Sequence, residues 1–437
     1  MYATNYKTNK LNTMIHSFYV ENFLSIRDRQ EISFATTADK TVRDLVAVEV
    51  KPNVYINKLG IFYGANASGK SNIIFAMSTL FALLRFPQSD KTASVINYYP
   101  FALTNDAPTY FKIVFYKDSV QYEYEISYCK THIISESLYY YPTRNKALFY
   151  TRRFVSTDTQ PKIEFGNTLG LFSKTKQTLC EQTFNNHTVL STFAKVSLKE
   201  NAKEIASLYN WILYHYHNDD SDTKPQRMIA EMNEVCADPT KKQFYLSLLK
   251  KADFNIVNFS MVDNFRDITE EQLDIIKKLP IENQMSLLKD VVFTNHSSDG
   301  DFDIESNMQS IGTRRFAELT GSLYDMVSGN HVYFMDEIGI RLHSDLMTFY
   351  ISVFLHNSNQ SQLFFTTHNI LLLDEDFIRR DIVYLVEKSA DSATSSYTRV
   401  SDAGLHKNLS LYNAYKIGRL GAKPDLGSPY LDNVNEC

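Results

Sequence analysis

Two stretches of this chain hold side chains suited to chemistry on a nucleoside triphosphate. The first, Gly64-Ala65-Asn66-Ala67-Ser68-Gly69-Lys70-Ser71, is a complete G-x-x-x-x-G-K-[ST] phosphate loop with Asn72 behind it. Gly64 and Gly69 let the backbone turn tightly enough for successive N–H groups, and the helix start that follows, to face the α- and β-phosphates. Lys70 supplies a point charge for the β- and γ-phosphates, and the Ser71 hydroxyl one ligand for Mg²⁺. The second stretch, His331-Val332-Tyr333-Phe334-Met335-Asp336-Glu337, has four apolar residues in five positions and then two carboxylates. That is the form of a buried parallel strand with acids at its C-terminal end, a Walker B strand. Asp336 then belongs to the Mg²⁺ shell and Glu337 polarises the attacking water, because in-line transfer to water needs a positioned proton acceptor. ATP and Mg²⁺ are the expected ligands, and ATP hydrolysis the expected reaction.

A third candidate group lies about 30 residues further on, where Gln362-Leu363-Phe364-Phe365-Thr366-Thr367-His368-Asn369 reads as an apolar strand ending in a histidine. A histidine at the C-terminal rim of such a sheet can hydrogen-bond a γ-phosphate or the attacking water. Catalysis is thus assigned to Glu337, His368 and Lys70, nucleotide binding to residues 64–72, and the metal to Ser71 and Asp336.

These side chains need an α/β frame. An apolar run at 59–63 feeds the phosphate loop, and Ile73, Ile74, Met77 and Leu80 carry the helical period behind it. Before the loop, residues 15–23, 32–34 and 45–50 read as strands. After its helix, residues 110–116 and 120–128 alternate about a Lys117-Asp118-Ser119 turn and predict a hairpin. Strand character continues through 138–165, where the abundant tyrosines fit a half-buried sheet face better than a base-stacking platform. From about 197 to 291 the spacing becomes helical, as in Ile205, Leu208, Trp211, Ile212 and later Leu273, Ile276, Leu279, with polar breaks at 218–222 and 237–239. The resulting division is a disordered lead-in at 1–13, the N-terminal half of a head at 14–195, a helical insertion at 196–295, the C-terminal half at 296–424 and a flexible tail at 425–437.

The chain has 437 residues, 44% of them hydrophobic, enough for a large core. Its 45 basic and 50 acidic residues leave a net charge of -5, so composition points neither to nucleic acid nor to an anionic membrane. Four scattered cysteines without a C-x-x-C pair argue against a zinc site and a disulfide scaffold and fit a reducing cytoplasm. No signal-peptide core opens the chain, and no apolar run is long enough to span a bilayer.

The separation of about 265 residues between Lys70 and Asp336, filled by a strand lobe and a helical lobe, resembles the split ATPase heads of the ABC/RecF/SMC class. Tyr19-Val20-Glu21-Asn22-Phe23 resembles their first strand. More narrowly, GANASGKSN, Ser310-Ile311-Gly312-Thr313-Arg314-Arg315, FFTTHNILLLDED, Arg379-Arg380-Asp381 with Glu387-Lys388, and Tyr415-Lys416-Ile417-Gly418-Arg419-Leu420-Gly421-Ala422-Lys423-Pro424 resemble the RloA-like abortive-infection ATPases, relatives of the OLD-family heads. The resemblance covers nearly everything from Met14 to Pro424. It implies a signature segment, here Ser310, Gly312 and Thr313, that completes the nucleotide site of a second subunit, and hence a homo-oligomer built on ATP-dependent head dimers. Taken alone, those residues would be an ordinary helix start capped by Ser310 or Thr313. Three departures stand out. Leu24 replaces a basic residue frequent in relatives, residues 339–344 differ from the usual Ser-Leu-His-Pro, and the glutamine loop has only Gln121 as a candidate.

About 69 residues follow His368, too few for the Toprim nuclease of OLD-like proteins and without its acidic set. The resemblance therefore implies a separately encoded toxic effector under the control of this ATPase, a phage protein or nucleic acid as trigger, and no membrane. Two other readings stay open: a RecF-like DNA-repair ATPase, and a nucleotide-dependent scaffold with little hydrolysis.

Overall fold

The structure, a computed structural model, describes residues 13–423 except 158, 168–170, 194–202, 220–224, 264–268, 270–273, 275, 278–288 and 405–408. The expected tail, the lead-in before Thr13, and Leu273 and Leu279 of the expected helical spacing lie outside the described residues. The chain divides into two units, Met1–Tyr214 with Phe364–Cys437, and His215–Leu363.

Period-two alternation builds most of the first unit. Its strands are β1 (Thr13–Glu21), β2 (Gln30–Ser33), β3 (Ala47–Lys51), β4 (Val54–Asn57), β5 (Leu59–Gly64), β6 (Thr109–Lys117), β7 (Val120–Tyr128), β8 (Ile133–Tyr141), β9 (Ala147–Arg153) and β10 (Lys162–Phe165). Seven of them form an antiparallel sheet in the order β10-β9-β8-β7-β6-β1-β2. The β6–β7 hairpin closes through Asp118 and Ser119, whose φ angles of 49° and 65° match the twist of the flanking strands. One face buries Ile113, Phe115, Tyr124 and Leu138 against Phe81 and Leu84 of the phosphate-loop helix (Lys70–Arg85) and Trp211 of the helix Lys203–Tyr214. Phe115 stacks on Trp211 at 5.7 Å and Phe81 meets it edge-on at 5.8 Å. Elsewhere on the sheet tyrosines pair with cations: Arg29 lies over Tyr110, Lys112 over Tyr19 and Lys146 over Tyr139. All three rings are half-buried, as a sheet face requires.

The second unit contains β11 (Tyr216–Asp219), the helices Pro225–Ala237 and Pro239–Lys251, β12 (Ile256–Asp263), β13 (Lys289–Ser297), β14 (Gly300–Glu305), the helix Ile311–Ser328, β15 (Val332–Met335) and the helix Ser344–Asn357. Asp238 accepts from Thr240 N and Lys241 N, and Pro239 sits at the helix start, which accounts for the break at 237–239. The stretch read as wholly helical differs from that reading in two places. β12, β13 and β14 form an antiparallel sheet. Val291 and Phe293 alternate at period two, a signal too short to register inside a helical window. Asn218 and Asp219, taken as a polar break, lie in β11, which pairs parallel with β15; ladder bonds to that strand hold a segment whose side chains do not advertise it.

From Phe364 the chain is back in the first unit with the end of β16 (Gln362–Thr366), β17 (Val383–Lys388) and β18 (Ser395–Arg399). β5 lies between β16 and β17, parallel to β17, and β18 returns antiparallel. The fold is of the expected α/β class, a mixed sheet with a separate antiparallel strand lobe. Arg379 and Asp381, ahead of β17, form a buried bidentate pair at 2.9 and 2.6 Å. Asp381 also accepts from Thr37 N at 2.8 Å, and Arg379 donates to Thr41 O, tying the entry to β17 to the connection between β2 and β3.

Candidate nucleotide-binding site

All six residues of β5 are buried, so the strand delivers the phosphate loop from a rigid base. Gly64 is obligatory: a Cβ there would run into the Val386 carbonyl oxygen of β17. Gly69 has φ +104° and serves as N-cap of the helix Lys70–Arg85 with no side-chain cap, so no side chain covers the positive end of that helix. The Lys70 ammonium, nearly buried, donates to Gly64 O at 3.0 Å and Ala65 O at 2.8 Å. Ser68 Oγ is buried without a hydrogen-bond partner. An uncapped helix start, a lysine folded over the loop and an orphaned hydroxyl together fit a phosphate chain, as the motif requires. Asn66, Ala67 and Ser71 are exposed at the loop surface, and Ala65 and Asn72 partly so. A groove of about 530 Å³ opens beside residues 65–68, lined also by Glu387, Ser389, Ala422 and Lys423, a size within the usual range for small-molecule pockets.

His368 follows β16 in the same unit. Thr367 N donates to Phe62 O of β5 at 3.3 Å, and Tyr63 OH donates to Asn369 O at 3.1 Å, so both neighbours of the histidine are tied to the strand that carries the loop. His368 itself is exposed.

The remaining candidates lie in the second unit. β15 is fully buried, and Asp336 and Glu337 follow it half-buried. Glu337 has φ +47°, a left-handed conformation that costs a non-glycine residue about 1 kcal/mol or more and that clusters at functional sites. The turn continues through Ile340 N donating to Glu337 O at 2.9 Å and Arg341 at φ +63°. Ser310 is the N-cap of the helix Ile311–Ser328: its Oγ accepts from Thr313 N at 3.1 Å, and the two hydroxyls lie 2.7 Å apart. A Cβ on Gly312 would stand 3.1 Å from Arg341 O, so the glycine allows the turn after β15 to approach this helix start. In the departing segment 339–344, His343 caps the helix Ser344–Asn357 by accepting from Asp345 N.

Several positions acquire structural roles that the sequence did not reveal. Asn22 is buried and its amide bonds Ala107 O at 2.7 Å and the Thr104 hydroxyl at 2.6 Å. Leu24 has φ +48° and donates its N–H to Tyr99 O. Gln121 lies in β7 and accepts from Tyr116 OH, inside a ladder and not in a loop. Glu387 accepts from Ala422 N at 2.9 Å, which docks the Gly418-Arg419-Leu420-Gly421-Ala422-Lys423 turn onto β17. Ser25, Ser395 and Tyr397 contact the phosphate loop, and single serines or tyrosines of this kind carry no motif that could have found them.

Residues 61–374 match the family model described as "AAA domain, putative AbiEii toxin, Type IV TA system". The chain belongs to this family. It is a P-loop ATPase domain by family and by the loop on β5. Among solved structures, the SMC head domain from Thermotoga maritima is similar with 12% identity, 88% of this chain and 98% of that one covered, and a TM-score of 0.41. The recombination mediator protein RecF with ATP is similar with 12% identity, coverage of 90% and 100%, and a TM-score of 0.36. No curated protein matches the sequence. Among the described residues, no helix of this family member is long and apolar enough to cross a membrane.

Proposed function

We propose that the chain binds ATP with Mg²⁺ on its phosphate loop and hydrolyses it. The observation that carries this reading is the loop itself, with its glycine-turned, uncapped helix start and Lys70 folded over it. Residues 64–72 would hold the phosphates, with Lys70 countering the charge that develops on the γ-phosphoryl group. Ser71 and Asp336 are the hard oxygen ligands that suit Mg²⁺, which when bound neutralises phosphate charge. Glu337 would accept the proton of the attacking water, and His368 would orient that water or the γ-phosphate. Ser310, Gly312 and Thr313 would close the site of a second copy, making the working unit an ATP-dependent dimer of heads within a homo-oligomer.

We propose further, from the resemblance of its motifs to abortive-infection ATPases, that it acts in the cytoplasm as a sensor or scaffold of bacterial antiphage defence and controls a separately encoded effector such as a Toprim-type nuclease; the family description names a putative toxin of a toxin–antitoxin system and specifies no such effector. A RecF-like DNA-repair role is the alternative. Turnover measured with and without double-stranded DNA separates them: a DNA-independent rate fits the defence reading, and strong stimulation by DNA selects the repair reading.

A further inference from the structure

The second sequence segment to touch the phosphate loop is one that no motif marks. Ser395, 3% exposed in β18, donates from Oγ to Ser68 O at 2.6 Å. Tyr397, two residues on and on the same face of the strand, donates from its phenol to Gly69 O at 2.7 Å. Behind Ser395 stands a chain with one possible proton direction. Asn72 Nδ2 can only donate and does so to Ser25 Oγ at 2.6 Å; Ser25 Oγ lies 2.6 Å from Ser395 Oγ; and Ser68 O can only accept. Each hydroxyl therefore accepts from one side and donates to the other, and such series strengthen their members. Ser395 N also donates to Ser25 O at 2.8 Å, which locks the strand to the loop after β1. Burial pushes the Tyr397 phenol pKa far upward, so it stays a donor. Gly69 has a second reason to lack a side chain: a Cβ would collide with Ser395 Oγ and come within 2.8 Å of Ser25 Oγ.

A trans peptide unit points its C=O and N–H in opposite directions. Holding Ser68 O by a hydroxyl therefore aims Gly69 N–H the other way, and holding Gly69 O aims Lys70 N–H likewise. Those two N–H groups belong to the turn that receives the phosphates. We infer that Ser395 and Tyr397 are positioning residues of the phosphate loop, fixing two peptide planes so that the Gly69 and Lys70 N–H groups face the bound phosphates before any nucleotide arrives. This rests on the nucleotide-binding reading above and adds to it a dependence on β18.

The test uses the full chain, with MgADP affinity from calorimetric titration and MgATP hydrolysis at steady state. Ser395→Ala and Tyr397→Phe each remove a single oxygen. Tyr384→Phe is the control, since that hydroxyl donates to Ser33 O at 2.6 Å and lies in β17 of the same sheet. In each loop variant the MgADP Kd and the MgATP KM rise by roughly 5- to 10-fold, the range for one lost hydrogen bond, while kcat stays within about twofold. The control lowers the melting temperature and leaves both affinities unchanged. Wild-type affinity in the loop variants, or an equal loss in Tyr384→Phe, would overturn the inference. Absence of any MgADP or MgATP binding by the wild type would instead overturn the ATPase reading itself. Should one loop variant fail to fold, the other decides the question alone.

Discussion

The phosphate loop and the proposed signature segment at Ser310–Thr313 are built in opposite ways. The loop is pinned from several sides: β17 packs on Gly64, β18 holds its carbonyls, Ser25 after β1 accepts from Asn72 Nδ2, and Ser68 and Lys70 are buried. The signature segment holds itself, with Ser310 and Thr313 bonded to each other, Ser310 exposed, Ile311 48% exposed and the preceding Met308 78% exposed. The difference shows which element is preorganised for an anion and which presents a surface. A rigid loop can bind nucleotide in a single chain. An exposed, self-capped helix start with Met308 and Ile311 at the surface is what the proposed contact with a second copy would require.

The comparison can be broken first through the frame under the loop. Asp381→Asn leaves the Arg379 guanidinium buried without its charge partner, a loss of about 3–5 kcal/mol in unfolding free energy for such pairs. Chemical denaturation checks this, and MgADP affinity should weaken alongside, because β17 carries the carbonyl that packs on Gly64.

The second unit offers a pH handle of somewhat smaller size. His331 Nδ1 lies 2.8 Å from His217 Nε2, with His215 beside them, and the carboxylate of Asp325 opposes their effect. Burial, then the neighbouring histidines, lowers the His331 pKa from 6.5 to about 4. In the window between those values the unfolded chain binds the proton and the folded chain does not, so stability is complete above about 6.5 and falls as the pH drops towards 4. The loss is up to about 3 kcal/mol, and His331→Asn should flatten that limb of a stability–pH curve.

The smallest effect tests the exposed segment directly. Ile311→Glu alters a half-exposed side chain and should leave folding and MgADP affinity unchanged. If the segment approaches a triphosphate, turnover should fall by about tenfold through like-charge repulsion. Gly312→Glu is a poorer probe, because its Cβ would press on Arg341 O.

The phosphate loop, the acids after β15 and the histidine after β16 were legible because each couples a residue type to a strand end, a pattern of adjacent positions. The β6–β7 hairpin was legible for the same local reason. What escaped was set by distant pairing. β11 has a polar sequence but a strand partner, β12 and β13 lie in a stretch of helical spacing with little alternation of their own, and Ser395 and Tyr397 reach the loop only after β18 has returned beside β17. Arg379 and Asp381, read as part of a family motif, are a buried structural clamp.

The account stands most directly on nucleotide handling by three full-length proteins: wild type, Lys70→Ala and Glu337→Gln, each assayed for MgATP binding and phosphate release. Wild type should bind and hydrolyse. Glu337→Gln should bind with similar affinity and lose turnover by about 100-fold or more, the usual contribution of a general base. Lys70→Ala should lose binding, or turnover by a factor on the order of 10² or more, with the phosphate-facing charge gone. Wild-type binding and turnover in Lys70→Ala would contradict the assignment of the loop and the function built on it.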